Sequence, residues 1–166
     1  MNATIRPLAP DDRAAALEVI NTAARWYREF LPAEETHEEE MSAEQFEAEA
    51  RRMTWFGAFE GGRLVGVMGL EPMGDVALVR HGYVLPTHQR SGVGSALLAH
   101  LERESGHVKR IVIGTYAANY KARANLEKAG YTLSSDSQAV LQRYFAIPAE
   151  RARGSVTYEK PMVSRA

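Results

Sequence analysis

The stretch LPTHQRSGVGSALLAHLE, residues Leu85 to Glu102, places a Gly-x-Gly turn directly before an amphipathic run. Two glycines let the backbone approach a ligand closely, because no Cβ atom stands in the way. The first amides of a helix have no intrahelical partner, and with the helix dipole they favour an anion such as phosphate. The turn therefore predicts a phosphate site over Arg90 to Ser95. A plain strand-to-helix corner with glycine at its tight point is the alternative that the turn alone leaves open.

Alternating strand and helix patterns surround this turn. The Glu60-Gly61-Gly62 sequence predicts a hairpin, Ser42 and Gln45 form a capping-box pattern, and residues 134–153 read as irregular and partly basic. The predicted strands are ATIRPL (residues 3–8), the two arms within residues 55–72, DVALVRHGYVL (75–85), VKRIVIGTY (108–116), YTL (131–133) and GSVTYEKPM (154–162), and the predicted helices follow Asp11 or Asp12, Ser42, the glycine turn and Asn119. This alternation predicts a mixed α/β fold.

Length and composition limit the class of protein. The 166 residues fit one domain, which we place over residues 1–166, and 45 % apolar with 25 % charged residues is ordinary for a globular protein. A formal net charge of −1 gives no electrostatic case for nucleic acid or an anionic membrane. The absence of cysteine excludes disulfides, thiolate metal sites and a cysteine nucleophile. No signal-peptide core or membrane-length apolar run is found, so we expect a cytoplasmic protein.

Two ordered motifs resemble those of the GNAT superfamily of acyl-CoA-dependent N-acetyltransferases. The segment VLPTHQRSGVGSALL resembles the family's acyl-CoA signature. NYKARANLEKAGY is similar to its Asn-x-x-Ala segment, which ends in Glu-Lys-x-Gly-aromatic. The resemblance runs from about Leu64 to Leu133. The matching residues are Val84, Pro86, Gln89, Gly92 and Gly94 in the first motif, and Asn119, Ala122, Glu127, Lys128, Gly130 and Tyr131 in the second.

The resemblance implies a splayed central β-sheet of about six to seven strands flanked by about four helices. It also implies that acetyl-CoA is the cosubstrate, with no metal. The pantetheine arm would pair with free backbone groups of the central strand, as an added strand does, and the diphosphate would lie over the turn. The implied cofactor contacts come from Tyr83, Val84, Leu85, Gln89, Arg90, Ser91, Gly92, Val93, Gly94, Ser95 and Asn119.

Direct acetyl transfer to an amine needs a base, an oxyanion donor and a proton for the thiolate. A lysine-like amine has a pKa of about 10.4, so the acceptor must lose a proton before it attacks. Many family members carry a tyrosine as the acid where this chain has Leu126. Tyr116 and Tyr120 are weak substitutes for it, of which Tyr120 is our candidate, and Tyr131 fits the aromatic core position of the motif better.

The base also departs from the family pattern, because VALVRHGY has no glutamate. Glu71 at the end of the preceding strand, His81 within the central strand and a water chain to solvent all remain open. His81 has an alternative structural role within an apolar strand. Arg80 either binds a substrate carboxylate or, as we prefer, pairs with an acid across the sheet.

We expect an N-acetyltransferase that acts on a primary amine of a small molecule or peptide. The chief alternative is a non-catalytic acyl-CoA-binding domain, suggested by Leu126, and a second is a nucleic-acid partner such as tRNA, which the near-neutral charge disfavours. The acidic run at residues 34–40 either attracts a cationic acceptor or is a solvated turn. Residues 143–153 form either a homodimer contact or an acceptor-side loop.

Overall fold

The computed structural model describes residues 2–27, 40–147 and 149–162, and within them the mixed α/β fold is confirmed. These residues fall into two compact units. The first unit comprises Met1–Glu71 with His81–Leu101, and the second comprises Pro72–Arg80 with Glu102–Ala166. A single domain over residues 1–166 stays a prediction. Of the acidic run, residues 34–39 lie outside the described part of the chain.

The first unit contains the predicted hairpin and the glycine turn. Its strands are antiparallel, with Thr4 opposite Phe59 and Trp55 opposite Gly69, and a bulge lies between Ala58 and Phe59. Its elements are β1 (Thr4–Pro7), α1 (Arg13–Tyr27), α2 (Ala43–Ala50), β2 (Thr54–Glu60), most of β3 (Arg63–Met73), the end of β4 (Val76–Val84) and most of α3 (Val93–Glu104).

Helix α2 begins as its sequence predicts. The Ser42 hydroxyl accepts a hydrogen bond from the Gln45 amide at 3.2 Å, and the Gln45 side chain accepts one from the Ser42 amide at 2.9 Å. This reciprocal capping satisfies two of the amides that a helix N-terminus leaves without partners. It fixes where α2 starts and therefore which side chains face the sheet.

Helix α3 packs tightly on β3. A Cβ atom at Gly66 would lie 2.9 Å from Val93 Cγ1 and 3.2 Å from Leu97 Cδ1, so glycine is required for this close approach. Val93, Leu97, Leu98 and Leu101 are buried, and burying each such side chain stabilises the fold by about 1.5–3 kcal/mol. This contact fixes the start of α3, and hence the glycine turn, relative to β3.

The second unit has a strand order that departs from chain order. The pairing of β4 with β5 is parallel and runs from Val76–Arg110 to Val79–Ile113, whereas β7 pairs antiparallel with both β5 and β6. Within this unit the strands follow the order β4-β5-β7-β6. Its remaining elements are β5 (Arg110–Tyr116), α4 (Tyr120–Lys128), β6 (Thr132–Leu133), α5 (Ser137–Tyr144), α6 (Ala149–Ala152) and β7 (Ser155–Pro161).

The prediction of an irregular stretch over residues 134–153 is wrong. This stretch contains α5 and the short α6. Asp136 caps α5 by accepting a hydrogen bond from the Ala139 amide at 3.1 Å. Leu141 and Phe145 pack with Val76, Leu78, Val112 and Ala152 in one apolar cluster. Burial against the sheet therefore stabilises a helix that is only eight residues long and would be marginal in isolation.

Candidate active site

The backbone of the glycine turn is left-handed at two positions. After β4, residues Pro86–His88 form a single 3₁₀ turn, Arg90 has φ 70° and Gly92 has φ 85°. Glycine adopts such angles freely, whereas an L-residue such as Arg90 is destabilised there by about 1–2 kcal/mol. The chain therefore keeps a strained, defined turn directly in front of α3.

The start of α3 leaves amides available. The first helical hydrogen bond is donated by the Ala96 amide to the Gly92 carbonyl at 2.9 Å, so the amides of Val93, Gly94 and Ser95 precede it. The first turn of α3 has no acidic side chain. A Cβ atom at Gly94 would meet only Val84 Cγ2, at 3.8 Å, so packing does not require glycine there. Amides that precede the first helical hydrogen bond, next to a residue without a Cβ atom, are suited to an anion.

Side chains of the turn support its own backbone. Gln89 Nε2 donates to the Val84 carbonyl at 3.3 Å, and the Ser91 hydroxyl donates to the His88 carbonyl. His88 Nε2 lies 3.5 Å from a carboxylate oxygen of Glu60 in the hairpin turn. Val93 is buried as a whole residue, at 1 % exposure, so it contributes mainly to packing of α3. Gln89 and Ser91 thus support the backbone of the turn.

The end of β4 pairs with β3 through one of its two edges. The Leu85 amide donates to the Val65 carbonyl of β3 at 2.9 Å. Because hydrogen-bonding direction alternates along a strand, the amide and carbonyl of Val84 face away from β3. Tyr83 is buried, and its hydroxyl donates to Glu40 at 2.9 Å. Of the three residues predicted to pair with a pantetheine arm, Val84 is the one directed away from β3, and its carbonyl accepts from Gln89 Nε2 at 3.3 Å.

His81 lies in β4 with φ 54°, a left-handed backbone within a strand. Its Nε2 lies 3.5 Å from Glu49 Oε1 on α2. Its ring stacks on Trp55 of β2 with centroids 5.5 Å apart, and Trp55 stacks on Phe46 of α2 at 4.6 Å. Sequence reasoning missed Glu49 and Trp55 as neighbours of His81, because no local pattern connects α2 and β2 to β4.

The Glu49 carboxylate is held in its charged form. Arg52 donates to both of its oxygens, at 2.6–2.9 Å. Burial raises the pKa of Glu49, but hydrogen bonds and charges from His81 and Arg52 outweigh burial and lower this pKa to about 2. At neutral pH, His81 therefore faces an anion.

The other two predicted catalytic residues differ in exposure. Glu71, in β3, is 7 % exposed, and Tyr120, the first residue of α4, is 74 % exposed. The Arg123 guanidinium lies 5.6 Å from the centre of the Tyr120 ring. Their catalytic roles stay predictions.

Polar side chains of the second motif, residues 119–131, form hydrogen bonds within the protein. Asn119 is buried, and its side-chain oxygen accepts from the Ala122 amide at 3.2 Å, which caps α4. Its contact with the CoA arm stays a prediction. Leu126, at the family's tyrosine position, is buried. Tyr131 is also buried and donates to Glu102 at 3.2 Å, so it fills the aromatic core position as predicted.

Comparison with known proteins gives a family and a fold. The sequence profile of the Acetyltransferase (GNAT) family matches residues 20–131. A PaiA N-acetyltransferase from Thermoplasma acidophilum, solved in complex with coenzyme A, is similar at TM-score 0.78 and 18 % identity, over 97 % of this chain and 99 % of that one. A ribosomal-protein alanine N-acetyltransferase from Escherichia coli is similar at TM-score 0.74 and 22 % identity, over 99 % and 97 %.

A third solved structure also shares the fold. An acetyltransferase from Thermus thermophilus is similar at TM-score 0.73 and 18 % identity, over 98 % of each chain. At these identities the likeness shows the fold. Comparison with curated protein sequences found no match. Among the described residues, no helix combines the length and the apolar character needed to cross a bilayer.

Proposed function

This chain belongs to the Acetyltransferase (GNAT) family, and we propose that it transfers the acetyl group of acetyl-CoA directly to a primary amine of a small molecule or peptide. The observation that carries the proposal is the turn before α3, with left-handed Arg90 and Gly92 and available amides from Val93 to Ser95. A similar fold has been solved with coenzyme A bound, in the Thermoplasma acidophilum enzyme.

Acetyl-CoA binding would use two features of the first unit. The diphosphate would lie over the amides of Gly92 to Ser95, where the dipole of α3 favours negative charge. The pantetheine amides would pair with the backbone of Val84, which faces away from β3. An added strand of this kind fixes the direction of the arm without any side-chain contact.

The transfer itself requires a neutral amine. We propose His81 as the base, because its side chain is 24 % exposed whereas Glu71 is almost fully buried. The amine nitrogen attacks the thioester carbonyl, a backbone amide of β4 stabilises the oxyanion, the C–N bond forms and the C–S bond breaks. The nitrogen loses a proton as the adduct collapses. Tyr120 or solvent relays a proton to the departing thiolate, so the thiolate leaves as a thiol.

A non-catalytic acyl-CoA-binding domain is the second candidate. The buried Leu126 favours it, because a leucine cannot donate a proton to the thiolate. Both candidates predict acetyl-CoA binding, and only the enzyme predicts release of free thiol in the presence of an amine. The proposal further places the enzyme in the cytoplasm, without a nucleic-acid or membrane partner, and leaves a homodimer as one open assembly.

The test is calorimetric titration of the purified, CoA-free protein with acetyl-CoA, with NAD and ATP as controls. Thiol release is then followed with a panel of small amines and of peptides with free α-amino or lysine groups. Selective binding with amine-dependent thiol release supports the enzyme. Selective binding without release under any amine favours the non-catalytic domain. If folded protein does not bind acetyl-CoA, the glycine turn is a structural corner and the proposal fails.

A further inference from the structure

The residues around the strained backbone of His81 fix the orientation of its side chain. A left-handed residue within a strand is destabilising and persists only where its neighbours fix it. His81 has φ 54°, and the neighbours come from two elements: Glu49 on α2 and Trp55 on β2. The imidazole is therefore oriented by a carboxylate at one nitrogen and by an aromatic face along its ring.

The carboxylate is itself fixed. Three hydrogen bonds from Arg52 hold Glu49, and the side chain of Glu49 is 15 % exposed. Phe46 stacks behind Trp55. Among the described residues, the Glu49 carboxylate lies beside His81 and Arg52 contacts that carboxylate from the other side. The charges of Glu49 and Arg52 balance each other while His81 is neutral. When His81 takes a proton, the nearer charge is the negative one of Glu49, which stabilises the imidazolium.

We propose that Glu49 is a positioning residue for His81, an inference that rests on the proposed function. Glu49 faces the Nε2–H group of the imidazole as a hydrogen-bond acceptor at 3.5 Å, which leaves the Nδ1 lone pair as the acceptor for a proton. A carboxylate that orients an imidazole in this way selects its tautomer and stabilises the imidazolium that forms. Arg52 keeps the carboxylate charged and in place.

The proton balance follows. The N–H bond of the acceptor ammonium breaks, and its proton forms the Nδ1–H bond of His81. The neutral amine then attacks the thioester. His81 later releases the proton to solvent, and the second proton, lost from nitrogen as the adduct collapses, goes to the CoA thiolate. Glu49 exchanges no proton in this sequence.

The kinetic test compares two glutamates of one helix. Glu49→Gln removes the charge beside His81, while Glu47→Gln is the matched control, because Glu47 is exposed and pairs with Arg13 at 2.8 Å. We expect Glu49→Gln to lower kcat by about tenfold to a hundredfold, with an unchanged KM for acetyl-CoA. His81→Gln should lower kcat at least as much. Glu47→Gln should match the wild type in both constants.

A second readout does not depend on activity. The ¹⁵N shifts of the His81 imidazole report its tautomer, and we expect the Nε2–H form in the wild type and a mixture in Glu49→Gln. The ¹³C shift of the Glu49 carboxyl reports its pKa, expected near 2 in the wild type and higher in His81→Gln. An unchanged tautomer in Glu49→Gln would overturn the inference.

The outcomes separate this inference from the proposed function. If the wild type acetylates an amine and Glu49→Gln keeps its kcat, the positioning role is wrong and the proposed function stands. If the wild type acetylates no amine in the panel, the proposed function fails and the inference fails with it, whatever the tautomer. A lower kcat together with a changed tautomer in Glu49→Gln, but not in Glu47→Gln, supports the inference.

Discussion

The glycine turn and the Asn119–Tyr131 segment both resemble family motifs, yet they treat their polar groups in opposite ways. In the turn, amides from Val93 to Ser95 precede the first helical hydrogen bond, and packing leaves room for a Cβ at Gly94. In the second segment, the polar groups bind within the protein. Asn119 caps α4, Arg123 donates to the Ala117 carbonyl at 2.8 Å, and Tyr131 donates to Glu102.

The difference shows that a family motif can match for two separate physical reasons. In the turn, Gly94 has room for a Cβ atom, so packing does not account for its glycine, and the proposed ligand does. In the second segment, Asn119, Arg123, Leu126 and Tyr131 are accounted for by capping, hydrogen bonding and core packing. Substitutions in the turn should therefore change ligand binding without lowering stability. Substitutions in the second segment should change stability, either alone or together with ligand binding.

The largest expected effect is that of Gly94→Asp. An aspartate in the first turn of α3 is favoured by the helix dipole, by about 0.3–1 kcal/mol, and replacing a helical glycine with aspartate adds roughly 0.3 kcal/mol. The same charge opposes the CoA diphosphate. We expect acetyl-CoA affinity to fall by about a hundredfold or more while the melting temperature stays equal or rises, measured by calorimetry and thermal unfolding.

Gly94→Ala is the control for this substitution. Its methyl group has room beside Val84, so it should keep most of the affinity and separate the effect of charge from that of bulk. Normal acetyl-CoA binding by Gly94→Asp would remove the distinction between the two motifs, because the turn would then also be structural.

Tyr131→Phe should change stability and leave acetyl-CoA binding unchanged. The variant loses the hydrogen bond to Glu102, at an expected cost of about 1–2 kcal/mol in the free energy of unfolding. Burial, and then the charge of Glu102, raise the pKa of the Tyr131 hydroxyl well above its usual value of 10.0. The folded state thus holds this proton more tightly than the unfolded state, so stability is complete below about pH 10 and falls as pH rises further.

The measurement is urea unfolding between about pH 8 and pH 11, where one such group contributes a slope of up to about 1.4 kcal/mol per pH unit. Because Tyr131→Phe has no hydroxyl to titrate, its stability should decline less steeply, and the two curves should converge at high pH. Parallel curves would show that Tyr131 does not carry the alkaline dependence.

Asn119 gives the smallest effect and the sharpest discrimination. Asn119→Ala removes the cap of α4 and should lower the free energy of unfolding by about 1 kcal/mol. Asn119→Asp keeps a capping oxygen and should preserve stability. If the Asn119 amide also contacts the CoA arm, Asn119→Asp should weaken acetyl-CoA binding at unchanged stability. Equal binding by the wild type and Asn119→Asp would assign this residue to the fold alone.

The features that the sequence predicted correctly are local ones. The capping box of Ser42 and Gln45, the turn at Gly61 and Gly62 and the start of α3 each depend on residues within one turn of chain. A backbone angle or a cap is set by neighbouring side chains, so residue types at short spacing are enough to predict it.

The features that were missed depend on contacts distant in sequence. The Asp136 cap and the apolar residues Val140, Leu141 and Tyr144 were a visible helix signal, but α5 is stabilised by packing on the sheet. The left-handed His81 and its Glu49 partner come from separate elements. The sequences of β5 and β7 did not predict that these strands pair, because an apolar strand can pair with many other strands equally well.

The position of β7 has a consequence for synthesis of the chain. β5 pairs with β7 along its whole length, from Arg110–Pro161 to Tyr116–Ser155, and β6 pairs with β7 as well. A ribosome releases β5 and β6 before β7 exists, so the nascent second unit exposes an unpaired sheet edge until translation has passed Pro161. We expect ribosome-stalled chains that end before Ser155 to be protease-sensitive beyond Glu102, and this late-completed unit to be the one that engages chaperones.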